Sequence, residues 1–202
     1  MSSTWVKVCG LRKRQDVEAA VEAGADAVGF VLWEGSPRHV TVPEMFALGD
    51  GIPALRFLLT VDATADQLLE SARLAGVDGV QPHGRSSGEA AAAAVIAGYF
   101  VLHPLDAGAA LDFSSVPEDQ VPIIDSPPNG LPGGGGVPFD WSSVPTTDRR
   151  FVLAGGLNPQ NVGAAIKAVA PWGVDASSGL ESSPGEKDPA LITRFVKRAK
   201  SQ

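Results

Sequence analysis

Short apolar runs alternate with stretches of helical spacing from one end of the chain to the other. Residues 5–9 form the first run and Gly10 closes it; residues 15–23 follow with apolar positions at helical spacing and stop at Gly24. The theme repeats as strands at 27–33, 56–61, 79–83, 99–102, 121–124, 150–154 and 172–176. Helices are expected at 41–49, 64–75, 87–97, 159–170 and 188–199. Their ends carry specific signals. Thr41 and Glu44 have the spacing of a capping box. Gly76 stops the helix before it. Asn158 is set to cap a helix that begins at Pro159, and Asp188-Pro189 opens the last one. The alanine-rich stretch 87–97 reads as helix, because alanine is the best helix former and packs closely on a sheet. Two helices are weak: residues 109–118 hold a turn or two, and Asp140 caps a short one. Between them lies a Gly/Pro-rich loop, residues 127–138.

Eight strand–helix units in series imply parallel strands joined by right-handed crossovers. The count favours a closed (β/α)8 barrel, a TIM barrel, over an open doubly wound sheet. The first strand leads into Cys9-Gly10-Leu11 and lacks the G-x-G-x-x-G turn of a dinucleotide fold. We expect one α/β domain over residues 1–202, near the small end for this fold.

Composition narrows the function. Apolar residues are 44% and charged residues 19%, which gives a sizeable core and argues against disorder. The 23 glycines and 16 prolines fit many tight turns. A net charge of −7 without a basic cluster argues against nucleic acid as a partner. A small anion stays compatible, since local amides and one arginine can hold it. Cys9 is the single cysteine, which excludes an intrachain disulfide and a cysteine-rich zinc site and fits a reducing, cytoplasmic compartment. The first residues show no apolar segment behind a basic one. The apolar stretch 95–105 is broken by Gly98, His103 and Pro104, so no membrane span is expected.

In a barrel, chemistry sits at the C-terminal ends of the strands. The expected strands end in Cys9, His83, Asp125 and Gly155-Gly156, run toward Ser36-Pro37-Arg38, or lead into Asp175-Ala176-Ser177-Ser178-Gly179. The glycine and serine turns after strands seven and eight are either ordinary connections or a phosphate cradle; their joint position favours the cradle. Cys9 is either a small buried hydrophobe or, beside Gly10, a proton acceptor whose thiolate needs a positive environment. Asp125 is either a cap or an acid delivered to the rim by an apolar strand, where partial desolvation would raise its pKa. Arg38 is either a surface ion-pair residue or, stiffened by Pro37, a two-pronged grip for a carboxylate. His83 reads as a hydrogen-bonded structural histidine rather than a base.

With these residues in place, the sequence resembles the phosphoribosylanthranilate isomerase family of tryptophan biosynthesis. The matching segments are residues 6–11, 23–30, Ser36-Pro37-Arg38, Val80-Gln81-Pro82-His83-Gly84, Asp125-Ser126, 133–136 with Phe139-Asp140-Trp141, 153–159, 174–181 and 184–188. They run in order over nearly the whole chain. The resemblance implies a (β/α)8 barrel and an Amadori rearrangement of N-(5-phosphoribosyl)anthranilate to 1-(2-carboxyphenylamino)-1-deoxyribulose 5-phosphate. It implies Cys9 as general base and Asp125 as general acid. Arg38, which would face the anthranilate carboxylate, Gln81, His83 and Asp175 would contact substrate. Gly155, Gly156, Ser177, Ser178 and Gly179 would hold the phosphate. Neither metal nor organic cofactor is implied. The partner is a small phosphosugar, and a monomer is expected rather than a homodimer.

Three positions depart from the family pattern. Pro82 replaces leucine and removes a backbone donor from strand four. Gly135 replaces a Thr or Ser in the Gly-rich loop. Strand five ends in Leu102-His103-Pro104 without a basic residue. Two rival readings follow from the same residues. A histidine-pathway aminoaldose isomerase would use two aspartates, and Cys9 stands against it. A non-catalytic phosphosugar-binding barrel would keep the turns and lose the acid or the base.

Overall fold

A computed structural model describes residues 3–126 and 139–202. Eight parallel strands close into a barrel in sequence order: β1 (Trp5–Val8), β2 (Ala27–Val31), β3 (Leu55–Val61), β4 (Gly79–His83), β5 (Phe100–Asp106), β6 (Val121–Asp125), β7 (Val152–Leu153) and β8 (Gly173–Ala176). The ring is closed by β1 on β8, with Lys7 level with Asp175. Successive strand residues point to opposite faces, and the core divides accordingly. Val6, Val8, Val28, Phe30, Leu58, Val80, Ile124, Leu153 and Val174 face outward into the layer shared with the helices. Trp5, Phe57, Leu102, Ile123 and Val152 fill the barrel from inside.

Six helices surround it among the described residues: α1 (Arg14–Glu22), α2 (Val42–Gly49), α3 (Ala65–Ala75), α4 (Ser87–Ile96), α5 (Val162–Val169) and α6 (Pro189–Lys200). The capping box of Thr41 and Glu44 forms as its spacing requires, and α3 has a second one between Thr64 and Gln67. Gly76 ends α3 in the left-handed conformation. Asp188 caps α6, accepting from the backbone N–H of Ala190 and Leu191.

The two weak helices are single turns, and the helix expected from Pro159 starts later. The fifth helix is a three-residue 3-10 turn, Phe113–Ser115, and the sixth is another, Trp141–Ser143, capped by Asp140. In place of a fifth helix, Arg149 fastens the crossover. Its guanidinium donates to the carbonyls of Phe113, Val116, Pro117 and Gln120. Asn158 caps a turn rather than the helix itself, accepting from Gln160 and Asn161 before α5 starts at Val162. An unexpected antiparallel hairpin, β9 (Glu181–Ser183) and β10 (Glu186–Lys187), lies between β8 and α6. The Gly-rich loop with Gly135 lies outside the described residues. Pro82 is accommodated within β4, opposite Thr60 of β3. No described helix is long and apolar enough to cross a membrane.

Candidate active site

Cys9 follows the last residue of β1, and its backbone N–H donates to Ala176 at 2.9 Å. It is buried and free. Gly29 on the neighbouring strand explains how it fits. A Cβ there would lie 2.7 Å from the Cys9 sulfur and 3.1 Å from Lys7 Cε, so the missing side chain is the space both occupy. Lys7 is fully buried inside the barrel. Its ammonium donates to Gln81 Oε1 and to Asp175 Oδ2, each at 3.0 Å. Burial opposes the charge on Lys7, but Asp175 and Cys9 outweigh it and raise its pKa. The lysine therefore stays protonated directly beneath the thiol.

For Cys9 the balance falls the other way. Burial pushes the thiol above its usual value, and Lys7 and Lys187 only partly pull it back. The positive environment that the sequence called for is present, but desolvation is the larger effect. A thiolate formed here is a strong base, and its population grows as pH rises.

Asp125 is the last residue of β6, and its Oδ1 accepts from the Ser126 N–H at 2.8 Å. Arg38 sits in the loop after β2, which turns back on the strand through a Val31–His39 bridge. Its guanidinium is already gripped: Nε donates to Glu181 Oε1 at 2.7 Å and Nη2 to Glu181 Oε2 at 2.9 Å. One edge of the fork thus faces Glu181, and the other donors remain for a ligand. Asp175 binds Lys7 through Oδ2, while Oδ1 is buried with no hydrogen-bond partner among the described residues. An unsatisfied buried carboxylate oxygen in a cavity fits a ligand donor.

Cys9, Arg38, Gln81, Asp125, Gly155, Gly156, Asp175, Ser177 and Ser178 line one cavity, open to solvent. Gly155 and Gly156 have φ of +80° and +67°. A Cβ on Gly155 would strike Ser126 Oγ at 2.5 Å, so only glycine brings this turn against the end of β6. Two expected residues stand outside the lining. His83 backs it, 3.1 Å from Gln81 Nε2. Gly179 packs the turn after β8 against the Leu157 carbonyl. The structure also adds residues that sequence reasoning missed. Trp33, Val31, Leu59 and Leu157 give the cavity an apolar wall suited to an aromatic ring. Lys7, Glu181 and Lys187 supply its charged supports. Lys7 left a signal, since it alternates with Trp5 and Cys9 and so belongs to the inward face. Among the described residues no group of histidine, cysteine and carboxylate side chains has the arrangement of a metal site.

A model of the N-(5'-phosphoribosyl)anthranilate (PRA) isomerase family matches residues 6–198. The N-(5'-phosphoribosyl)anthranilate isomerase of Rubrobacter xylanophilus is 40% identical over 203 residues, covering 97% of this chain and 98% of its own. The crystal structure of phosphoribosyl anthranilate isomerase from Thermotoga maritima superposes with a TM-score of 0.88 at 32% identity, covering 98% of this chain and 100% of its own. A second structure describes that Thermotoga enzyme as dimeric. Another solved isomerase, in complex with reduced 1-(o-carboxyphenylamino)-1-deoxyribulose 5-phosphate, gives a TM-score of 0.78 at 28% identity, covering 98% of this chain and 100% of its own. With its barrel, its rim residues and a match over nearly its full length, the chain belongs to the N-(5'-phosphoribosyl)anthranilate isomerase family, a family of isomerases.

Proposed function

We propose that this chain performs the Amadori rearrangement of N-(5'-phosphoribosyl)anthranilate in tryptophan biosynthesis, with Cys9 as base and Asp125 as acid. The observation that carries the reading is their shared cavity. Cys9 enters it from β1 and Asp125 from β6, three strands apart around the ring, so they can approach one small sugar from two sides. Asp125 protonates the ring oxygen and the ring C–O bond opens to a Schiff base. Cys9 then removes the proton from the neighbouring carbon. The electron pair moves into the protonated nitrogen and gives an enolamine, which tautomerises to the ketone. The substrate nitrogen is the electron sink, and no step asks for a cofactor. Arg38 takes the anthranilate carboxylate through its free donors, the apolar wall with Trp33 takes the ring, and the buried Asp175 Oδ1 accepts from a substrate donor. The turns at Gly155-Gly156 and Ser177-Ser178 take the phosphate, with Gly179 shaping the second turn and His83 holding Gln81. A reducing, cytoplasmic setting suits an essential free thiol.

Two variants test the pair of roles. Cys9→Ser should lose on the order of 10²- to 10⁴-fold in turnover, and Asp125→Asn should lose turnover while binding product within a few-fold of the native chain. Turnover near the native rate in either variant removes that residue from the mechanism. Complementation of an auxotroph lacking this isomerase tests the activity itself. We propose a monomer as the working unit, since a single barrel brings the base, the acid and the turns for the phosphate to one cavity. Sedimentation at the mass of one chain supports that, and sedimentation at twice that mass overturns it.

A further inference from the structure

One carboxylate joins the two anion grips of this cavity. Glu181, in the hairpin after β8, is almost fully buried, with 5% of its side chain exposed. Its Oε1 accepts from Arg38 Nε at 2.7 Å and from Lys187 Nζ at 2.6 Å. Its Oε2 accepts from Arg38 Nη2 at 2.9 Å and from the Gly185 N–H at 3.2 Å. Lys187, 1% exposed, also donates to the carbonyl and hydroxyl of Ser177, at 2.9 and 3.2 Å. The tip of the hairpin meets the arginine's loop as well: a Cβ on Gly185 would lie 2.3 Å from the Pro37 carbonyl. Thus the strap of residues 181–187 touches the loop after β2 at two points and the turn after β8 at one.

A surface ion pair would not be built this way. Taking one carboxylate and two cations out of water is costly unless geometry and hydrogen bonding are good. Here the fork of Arg38 is met by both carboxylate oxygens, the geometry that fixes a guanidinium in its plane. A freely rotating arginine would pay side-chain entropy when it took hold of a ligand; one held beforehand does not.

We propose that Glu181 is a positioning residue that holds both grips in one arrangement: through Arg38 the grip for the arylamine carboxylate, and through Lys187 the Ser177 turn for the phosphate. The proposal rests on the reading of Arg38 and Ser177 given above. The strap then sets the distance between the two ends of the ligand and so selects phosphosugars carrying an acidic arylamine.

Calorimetric titration with two ligands tests this. The first is 1-(2-carboxyphenylamino)-1-deoxyribulose 5-phosphate, and the second its analogue without the carboxylate. The native chain should prefer the first, and Arg38→Met should abolish the preference. Glu181→Gln should remove most of that preference, about tenfold, and weaken both ligands by about a further tenfold. Its kcat should stay within a few-fold while KM rises, since Cys9 and Asp125 are untouched. Lys187→Met should weaken both ligands alike and leave the preference intact. If Glu181→Gln keeps the native preference, Glu181 does not position Arg38. If the carboxylate-free analogue binds Glu181→Gln as well as the native chain, the link to the phosphate turn is wrong. If instead Arg38→Met keeps the preference, the reading of Arg38 fails independently of Glu181. Should Glu181→Gln not fold, Glu181→Asp is read by the same criteria, with smaller losses of the same pattern expected.

Discussion

The inside of the barrel holds two adjacent layers, one aromatic and one charged, and they are opposites. The lower one is a closed ring of four aromatic side chains. Trp5 stacks on Trp172 with centroids 5.0 Å apart, and Phe57 meets Trp5 and Phe100 edge-on at 6.1 and 5.5 Å. Phe100 completes the ring on Trp172 at 6.5 Å. Above it, Lys7 of β1, two residues beyond Trp5, is joined by hydrogen bonds to Gln81 of β4 and Asp175 of β8, and Cys9 closes the layer over. The aromatic ring removes apolar area from water and favours the folded state. The layer above does the reverse. A buried ion pair is often no better for stability than the apolar side chains that could replace it. What it supplies is a fixed positive charge under the thiol, at a site where little solvent screens it. The difference assigns stability to the floor and reactivity to the layer above, and substitutions in each should separate the two.

Between the two layers, the largest effect on turnover is expected at Lys7. Lys7→Met removes the charge that opposes the desolvation of Cys9, so the thiol pKa rises further. At neutral pH turnover should fall by about tenfold or more, because less of Cys9 is ionised to take the proton. The acid limb of the pH–rate profile should move to higher pH, and alkylation of Cys9 should slow at fixed pH. The same variant leaves Asp175 buried without its cation and should lose about 3 kcal/mol of stability. Adding Asp175→Asn should restore most of that stability and none of the turnover. Recovery of both together would mean that the polar layer is structural, and the contrast with the floor would collapse.

The floor should answer in the opposite way. Phe57 is 1% exposed and touches two other rings of the plug. Phe57→Ala should cost about 3–5 kcal/mol in chemical denaturation. Turnover per folded molecule should stay within a few-fold, because the residue is two positions below Leu59, the first side chain of β3 to reach the cavity. A large loss of turnover without a loss of stability would show that the rings act on the chemistry, through the contact of Lys7 with the Phe57 face at 6.0 Å.

These two layers also show what a sequence discloses. All eight strands are legible, because each is an apolar run between polar or glycine stops. The rim residues are legible for the same reason: Cys9, Asp125 and Asp175 break the apolar pattern where strands end. Lys7 is harder. It reads as a polar residue inside a strand, and only its period-two placement with Trp5 and Cys9 tells that it points inward. Glu181 and Lys187 left less. Their hairpin has strands of three and two residues, too short and too polar for an alternation to show. The weak fifth and sixth helices each amount to a single 3-10 turn, and in the fifth crossover Arg149 donates to four carbonyls instead. Such a long-range partner leaves no local pattern. Arg38 was found as a binding residue, but its partner lies 143 positions away, so the grip by Glu181 was invisible.

The smallest effect, and the sharpest separation of the layers, is expected at His83. It adjoins the polar layer through Gln81, and burial together with the charge of Lys7 lowers its pKa to about 4. In the unfolded chain the imidazole titrates near its ordinary 6.5. Between these values the unfolded chain binds the extra proton and the folded one does not. The contribution of His83 to stability is therefore present above pH 6.5 and is lost as pH falls toward 4, by at most about 3 kcal/mol. His83→Gln keeps a polar partner for Gln81 and removes the titration. Denaturation at pH 7.5 and 4.5 should show a smaller acid loss in this variant than in the native chain. The acid limb of turnover should not move, because His83 is neutral from pH 5 to 8 and Cys9 sets that limb. If the limb does move with His83→Gln, the histidine is the group that titrates, and the base assigned to Cys9 must be reassigned. If instead the acid stability is unchanged, His83 is solvated like any surface histidine, and Lys7 projects no field that far up the barrel. The aromatic floor makes no such link between stability and pH, so a pH-dependent difference confined to His83 and Lys7 variants marks where the polar layer begins.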